Sequence, residues 1–340
     1  MRKMKKFFVF LLIGIFVAVG VIYYAAFTPN VVSDATVTLE PGSDMETLVR
    51  ILRPRLRHAR TFSLTAKLKK FNRPRPGKYK IRQGMTNNDL VNLFRSGKQT
   101  EINLTFNNAS SPEILAGKVS RYIIADSISL LHAITDKKFL REHGFTPQTA
   151  ILMYIPNTYR FYYTTDAVKF RNRMWKEYRK FWNEERRKAA ARLGLTPQEV
   201  GILASIVKKE SVISSEKPLI AGVYLNRLKK GMKLEADPTA VYAYKLLTGD
   251  TTTVRRVLNK HIGVDNPYNT YKYAGLPPGP IAMPDIEDLE AVLHPARHQY
   301  LYFSADPARP GYHVFAKTYS EHLRNARAYR RYLNRRGIKK

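Results

Sequence analysis

Glu210 closes a helical stretch, Val200-Gly-Ile-Leu-Ala-Ser-Ile-Val-Lys-Lys-Glu210, whose apolar stripe is Leu203, Ile206 and Val207. It lies seven, four and three residues beyond them. Helical geometry therefore projects its carboxylate from the buried face, while Lys208 and Lys209 point elsewhere. Burying an unpaired carboxylate is costly, and desolvation raises its pKa by favouring the protonated form. A protonated Glu in a partly apolar cleft is what a general acid for glycosidic cleavage needs. The commoner fate of a helix-end Glu is to curl into water or pair with a Lys or Arg. The helix pattern by itself does not choose between them.

Other residues have competing uses. Asp237-Pro-Thr239 reads as an N-cap with Pro at the first helical position, or as part of a cleft, and the two are compatible. Tyr268, Asn269 and Thr270 combine an aromatic platform with amide and hydroxyl donors, which suits a pyranose but also an ordinary turn. Gly275-Leu-Pro-Pro-Gly-Pro280 is a rigid loop whose prolines exclude regular strand pairing. Glu216 either starts a helix through its dipole or borders the cleft. His294 and His298 have i,i+4 spacing, but no acidic ligand sits nearby and no metal is expected. No cofactor is expected either. The chain lacks G-x-S-x-G, Walker A and G-x-G-x-x-G patterns.

The elements that must position these residues begin with the N-terminus. Arg2, Lys3, Lys5 and Lys6 precede an uncharged run of 21 residues, Phe7–Phe27. That length matches the ~20 residues of a membrane-spanning helix. A cleavable signal has a shorter apolar region, and Ala25-Ala26 between Tyr24 and Phe27 is a poor cleavage context. Tyr23 and Tyr24 suit an interfacial belt, and the basic flank places residues 1–6 in the cytoplasm. The remaining chain is then exported. The 340 residues carry 58 Lys+Arg against 27 Asp+Glu, a net charge of +31, which calls for an anionic partner. Export excludes genomic nucleic acid and leaves the membrane surface or the cell wall. With no cysteine, a disulfide framework, a Cys nucleophile and a lipidated Cys are excluded.

Two segments 42 residues apart look alike. Val37-Thr-Leu-Glu-Pro-Gly42-Ser-Asp-Met-Glu-Thr-Leu48 aligns with Tyr79-Lys-Ile-Arg-Gln-Gly84-Met-Thr-Asn-Asn-Asp-Leu90. Each reads as a strand, a Gly turn, an N-cap (Ser43 or Thr86) and a helix. A β-α-α-β module over 34–98 follows. It is either a packing module or a glycan-binding one, and its layout resembles the LysM type. Ile102–Phe106 reads as a further strand, with helices near Ser111–Ile124 and Ser127–Ala133. Val168–Leu193 reads as one long helix with a stripe of Val168, Met174, Trp175, Tyr178, Phe181 and Trp182. Ten Lys/Arg against three Glu between Lys169 and Arg192 give it a basic face. Thr196-Pro197-Gln198-Glu199 is a capping box that starts the Glu210 helix. Arg324–Lys340, with eight Lys/Arg and no acid, reads as a terminal helix.

The Glu210 helix, then Glu216-Lys-Pro-Leu-Ile-Ala-Gly-Val-Tyr-Leu-Asn-Arg-Leu228 and Gly231-Met-Lys-Leu-Glu-Ala-Asp-Pro-Thr239, resembles the YceG-like endolytic murein transglycosylases. Tyr268–Thr270, Gly275–Ala282, His294-Pro-Ala296, Tyr300–Phe303 and His313–Lys317 continue the match in order, over a tract from Asn157 to His322. The resemblance implies that Glu210 is the catalytic acid/base. It also implies cleavage between N-acetylmuramic acid and N-acetylglucosamine inside glycan strands, giving a 1,6-anhydro end without consuming water. One carboxylate suffices, because the sugar's own 6-hydroxyl is the nucleophile. Implied substrate-binding residues are Asn157, Tyr159, Asn226, Glu235, Asp237, Thr239, Tyr268, Asn269, Thr270 and His313. Asn157, Glu235 and Ser211-Val212 depart from the family's common Asp, Gln and Thr-Gly.

The expected fold is α+β: a cytoplasmic tail (1–6), a single transmembrane helix (7–27), the LysM-like module (34–98) and a mixed α/β catalytic domain (101–340) carrying Glu210 on a helix. Expected partners are peptidoglycan strands, inner-membrane lipid and cell-wall synthesis enzymes, with no nucleic acid. The catalytic domain is expected in the periplasm. Rival readings are a glycoside hydrolase using Glu235 or Asp237 beside Glu210, a wall-binding scaffold, and a basic membrane-surface protein.

Overall fold

An uncharged run with no cap residue has nothing to stop it before Thr28, and it folds as one helix, α1 (Arg2–Phe27). A computed structural model of the chain describes residues 2–254 and 256–335. In it, Met4–Phe27 is the one helix among the described residues long and apolar enough to cross a membrane, with a mean hydropathy of 2.6. Its side chains from Met4 to Tyr24 are exposed, whereas Ala25 and Ala26 are buried.

The chain divides into two compact units. The first holds residues up to 104, 122–124 and 159–166; the second holds 105–121, 125–158 and 167 onward. In the first unit, β1 (Ala35–Leu39), α2 (Met45–Leu52), α3 (Ala59–Leu68), β2 (Gly77–Ile81) and α4 (Asn87–Ser96) follow one another. β1 and β2 pair antiparallel, with Val37 opposite Tyr79. Alternation sends Val37, Leu39, Tyr79 and Ile81 to one face, where Leu48, Leu52, Phe62, Leu90 and Phe94 cover them. Tyr79 and Phe94 meet edge to face at 4.9 Å.

The strand–turn–helix repeat is present, with one correction. The first helix is capped by Asp44, whose carboxylate accepts Thr47 N–H, and not by Ser43. Asp44 stands two residues after Gly42, as Thr86 stands two after Gly84, and both glycines have left-handed φ. The Gly turn sets the cap position, so the shorter hydroxyl one residue earlier is out of reach.

β3 (Ile102–Phe106) pairs with β4 (Asn157–Phe161). The second unit is mostly helical: α5 (Pro112–Val119), α6 (Ser127–Ile134), α7 (Lys137–Glu142), α8 (Ala167–Phe181), α9 (Glu184–Arg192), α10 (Pro197–Glu210), α11 (Lys217–Lys229), α12 (Asp237–Thr248), α13 (Asn259–Ile262), α14 (Ile286–Leu293) and α15 (Tyr319–Arg335). β5 (Tyr302–Ala305) and β6 (His313–Ala316) form an antiparallel pair between α14 and α15 in sequence. The mixed α/β class holds, and among the described residues the strands form three separate two-stranded sheets.

The long helix expected over Val168–Leu193 is two. Asn183 accepts Arg186 N–H on its side chain and starts α9, with Glu184 and Glu185 in the favourable first turn. The buried stripe of α8 is Ala167, Phe170, Arg171, Met174 and Tyr178, while Val168 is exposed. Arg171 is tolerated there because it bonds Asp136 at 2.9 Å and lies over the Phe139 ring. The terminal helix begins at Tyr319, upstream of Arg324, and residues 336–340 of that expectation lie outside the described residues.

Candidate active site

α10 carries the site. Thr196 Oγ1 accepts Glu199 N–H, and the Glu199 carboxylate accepts Thr196 N–H at 2.7 Å. This box satisfies two otherwise orphaned donors. Every residue from Val200 to Val207 is buried. Two polar groups on this helix hold the Pro-rich loop: Ser205 Oγ accepts Ile281 N–H at 3.0 Å, and Lys208 Nζ donates to Met283 O and to Asp285. Gly279 in that loop has no room for a Cβ, which would lie 2.7 Å from Gln148 O and from the Tyr268 hydroxyl.

Glu210 is half-buried at the end of α10. The buried Tyr224 of α11 donates its hydroxyl to Glu210 Oε1 at 2.5 Å. Burial pushes the Glu210 carboxyl up to about 7, the Tyr224 hydrogen bond opposes the rise, and the negative charge of Asp237 adds to it. At neutral pH such a group can both give and take a proton.

Asp237 is not a cap. Ala236 holds that position and Asp237 is the first residue of α12. Freed from capping, its Oδ1 accepts the Tyr271 hydroxyl at 2.6 Å. Burial and the neighbouring Asp237 charge hold that hydroxyl well above the usual phenol range. Glu210 and Asp237 line one cleft of about 800 Å3, together with Lys209, Tyr242, Lys245 and Ile281. Ligand sites commonly enclose about 300–1,000 Å3. A larger cleft of about 1070 Å3 includes Asn226 and His298. Its carboxylate, Glu199, is consumed by the capping box.

The other expected site residues fall into three groups. Behind the cleft, Thr239, Asn269 and Thr270 are buried and turned inward. Thr270 Oγ1 accepts Ala236 N–H and meets Thr239 Oγ1 at 2.7 Å, and Asn269 Nδ2 donates to Ile262 O and Val264 O. They brace the start of α12. Glu235 adds to this brace: its backbone is left-handed, its N–H donates to Thr270 O, and its carboxylate pairs with Arg227. Tyr268 packs on Tyr242 at 4.9 Å, and burial raises its hydroxyl to about 12.

Farther off, Asn226 Nδ2 donates to His298 O and Tyr300 O, tying α11 to the segment before β5. Glu216 stands at the N-cap position of α11 with no side-chain capping bond, and it does not line the cleft. It is buried, accepts His313 N–H at 2.8 Å, and lies 2.9 Å from His313 Nδ1. His313 is thereby a structural partner. Asn157 is exposed and accepts Thr158 N–H, while Tyr159 is buried in β4 within the first unit. Neither lines the cleft. His298 spends a ring nitrogen on Leu219 O, and among the described residues no group of His, Asp and Glu is arranged to hold a metal. Sequence reasoning missed Tyr224, Tyr271, Tyr242 and Lys245 as site residues. A tyrosine's role here depends on which carboxylate its hydroxyl reaches, and no local pattern reports that.

A helix-borne carboxylate lines an open cleft together with Ile281, the residue that follows the proline-rich loop. The YceG-like family model matches residues 37–328. The chain belongs to the YceG-like family. A segment of 120 residues is 45% identical to an endolytic murein transglycosylase of Bacillus subtilis (strain 168), covering 35% of this chain and 31% of that protein. Another of 131 residues is 34% identical to an endolytic murein transglycosylase of Streptococcus pneumoniae, covering 38% of this chain and 23% of that one. The matches thus span less than a third of those relatives. The crystal structure of a yceG-like protein from Listeria monocytogenes superposes with a TM-score of 0.56 at 26% identity, over 86% of this chain and 98% of that one.

Proposed function

We propose that this chain is a lytic transglycosylase of peptidoglycan that cuts the bond between N-acetylmuramic acid and N-acetylglucosamine within strands, with Glu210 as general acid and base. The observation that carries it is the single half-buried carboxyl poised near neutrality in the 800 Å3 cleft. Protonated Glu210 gives its proton to the leaving glycosidic oxygen. The resulting carboxylate takes the proton of the sugar's C6 hydroxyl as that oxygen closes on C1. One bond breaks, one forms, the proton returns to Glu210, and a 1,6-anhydro end is left. Tyr224 fixes which oxygen of Glu210 faces the sugar. α1 serves as the membrane anchor, the enzyme acts outside the inner membrane on strands made by synthesis enzymes, and the LysM-like module holds those strands.

Full chain in detergent, supplied with uncrosslinked strands, should yield internal cuts with anhydro ends by mass spectrometry. Glu210→Gln should cut about 10²–10⁴-fold more slowly. Cutting by Glu210→Gln at the parent's rate would remove the proposal. A hydrolase is the second reading, because Asp237 shares the cleft and its charge already acts on Glu210. At each cut, the product carrying the new reducing end would be heavier by one water, and the other product would be unchanged.

A further inference from the structure

The end of α1 is built into the small module. Ala25 O accepts Asn87 Nδ2 at 2.7 Å and Thr65 Oγ1 at 3.2 Å. Asn87 also accepts Asn30 Nδ2 at 2.7 Å, and Asn30 in turn bonds His58 O and His58 N. Ala25 and Ala26 are 2% and 8% exposed, on a helix otherwise exposed from Met4 to Tyr24. A carbonyl in the last turn of a helix has no partner within that helix. Here side chains from α3 and α4 supply the partners, so the module is fixed beside the final turn of α1.

This sets what lies next to α1. Around α3, Phe62 and Ala66 face the core, and Thr61 and Thr65 face the joint. Leu64 and Leu68 come next, one helical turn apart on the flank of that joint, and they are 40% and 49% exposed. Exposed Arg60 and Lys67 follow on the far side. The leucines therefore continue the apolar surface of α1, which ends in exposed Tyr23, Tyr24 and Phe27. Tyrosines at a span's end mark the headgroup level.

We infer that α3 lies in the outer membrane–water boundary, with Leu64 and Leu68 seated at the edge of the acyl chains and Arg60 and Lys67 among anionic headgroups. The inference rests on α1 being a membrane anchor. An apolar strip flanked by basic residues is the pattern of helices that lie in the interface. The occupant is a bilayer because the strip is continuous with the one helix among the described residues that is long and apolar enough to span it. The module is thereby held against the membrane rather than swinging on a tether.

The chain has no cysteine, so single sites can be labelled. Full chain in vesicles of mixed zwitterionic and anionic lipid would carry an environment-sensitive fluorophore at Leu64→Cys, Leu68→Cys, Val17→Cys or Pro41→Cys. Pro41 lies just beyond the end of β1, is exposed, and takes no part in the bonds of the anchor joint. Lipid-borne nitroxides should quench the labels at 64 and 68 several-fold more than at 41, with blue-shifted emission. Quenching at 17 with 64 and 68 no different from 41 overturns the inference and leaves the anchor standing. No quenching at 17 overturns both. Circular dichroism melting checks that each labelled chain keeps its fold, and two independent positions guard against a local artefact.

Discussion

At Glu210, burial raises the carboxyl and Tyr224 lowers it. Removing the hydroxyl with Tyr224→Phe removes the lowering influence and frees the carboxylate to turn. The alkaline limb of the pH–activity profile should move upward, and the rate at pH 7 should fall roughly tenfold, as a lost charge-assisted hydrogen bond of about 1.5–3 kcal/mol allows. An unchanged limb would show that Tyr224 does not tune Glu210. For the wild type, activity should decline above pH about 7, where the acid form is lost. Glu210→Gln should lower the rate by about 10²–10⁴-fold. Stability should move the other way. Between the ordinary 4.5 and about 7, the native chain holds a proton on Glu210 that the unfolded chain has released, so stability falls as pH rises through that window. Glu210→Gln removes this slope. At pH 8 it should be the more stable protein, by up to about 3 kcal/mol and less with solvent screening of a half-buried group. Denaturant titrations at pH 5 and pH 8 measure it; equal slopes in both proteins would count against the burial argument.

At the scale of elements, the site depends on supports that touch no sugar. Thr196→Ala leaves Glu199 N–H without its side-chain acceptor and should cost about 1 kcal/mol. Glu216→Ala removes the partner of His313 N–H and of its ring, both part-buried, and should cost about 2–3 kcal/mol, read as a lowered denaturation midpoint. A Glu216→Ala chain as stable as the parent would show that water replaces the carboxylate there. The sequence made some elements plain and hid others. The α10 box and α4 cap are local patterns of four residues. The α8–α9 break was also local, at Asn183, but a long aromatic and basic periodicity overshadowed it. The use of Asp237 was hidden, because Asp-Pro reads as a cap unless the residue before it takes that position.

For the whole molecule, the joint at Ala25 predicts that α1 is kept. Cleavage after Ala26 would take one acceptor from Asn87 and one from Thr65 and would remove two alanines that are buried at the joint. Intact mass of protein extracted from membranes should include residues 1–27. A mass lacking them would identify the run as a removed signal. With a net charge of +31, binding to anionic strands should weaken as ionic strength rises, since the screening length falls from about 10 Å at 0.1 M to about 3 Å at 1 M.

The sequence alone determined the apolar run long enough to span a membrane, the strand–turn–helix repeat, the helix that ends in Glu210 and the order of motifs that place the chain in its family. These are properties of neighbours along the chain: period, cap, charge and length. Tertiary structure decided which groups meet. It turned Thr239, Asn269 and Thr270 inward as braces, gave Glu216 to His313, put the Tyr224 hydroxyl on Glu210 and that of Tyr271 on Asp237, and fastened Ala25 to Asn87. Most of those pairs join residues far apart in the chain. Their proton affinities follow from burial and from the charge across the gap, and neither exists until the elements pack.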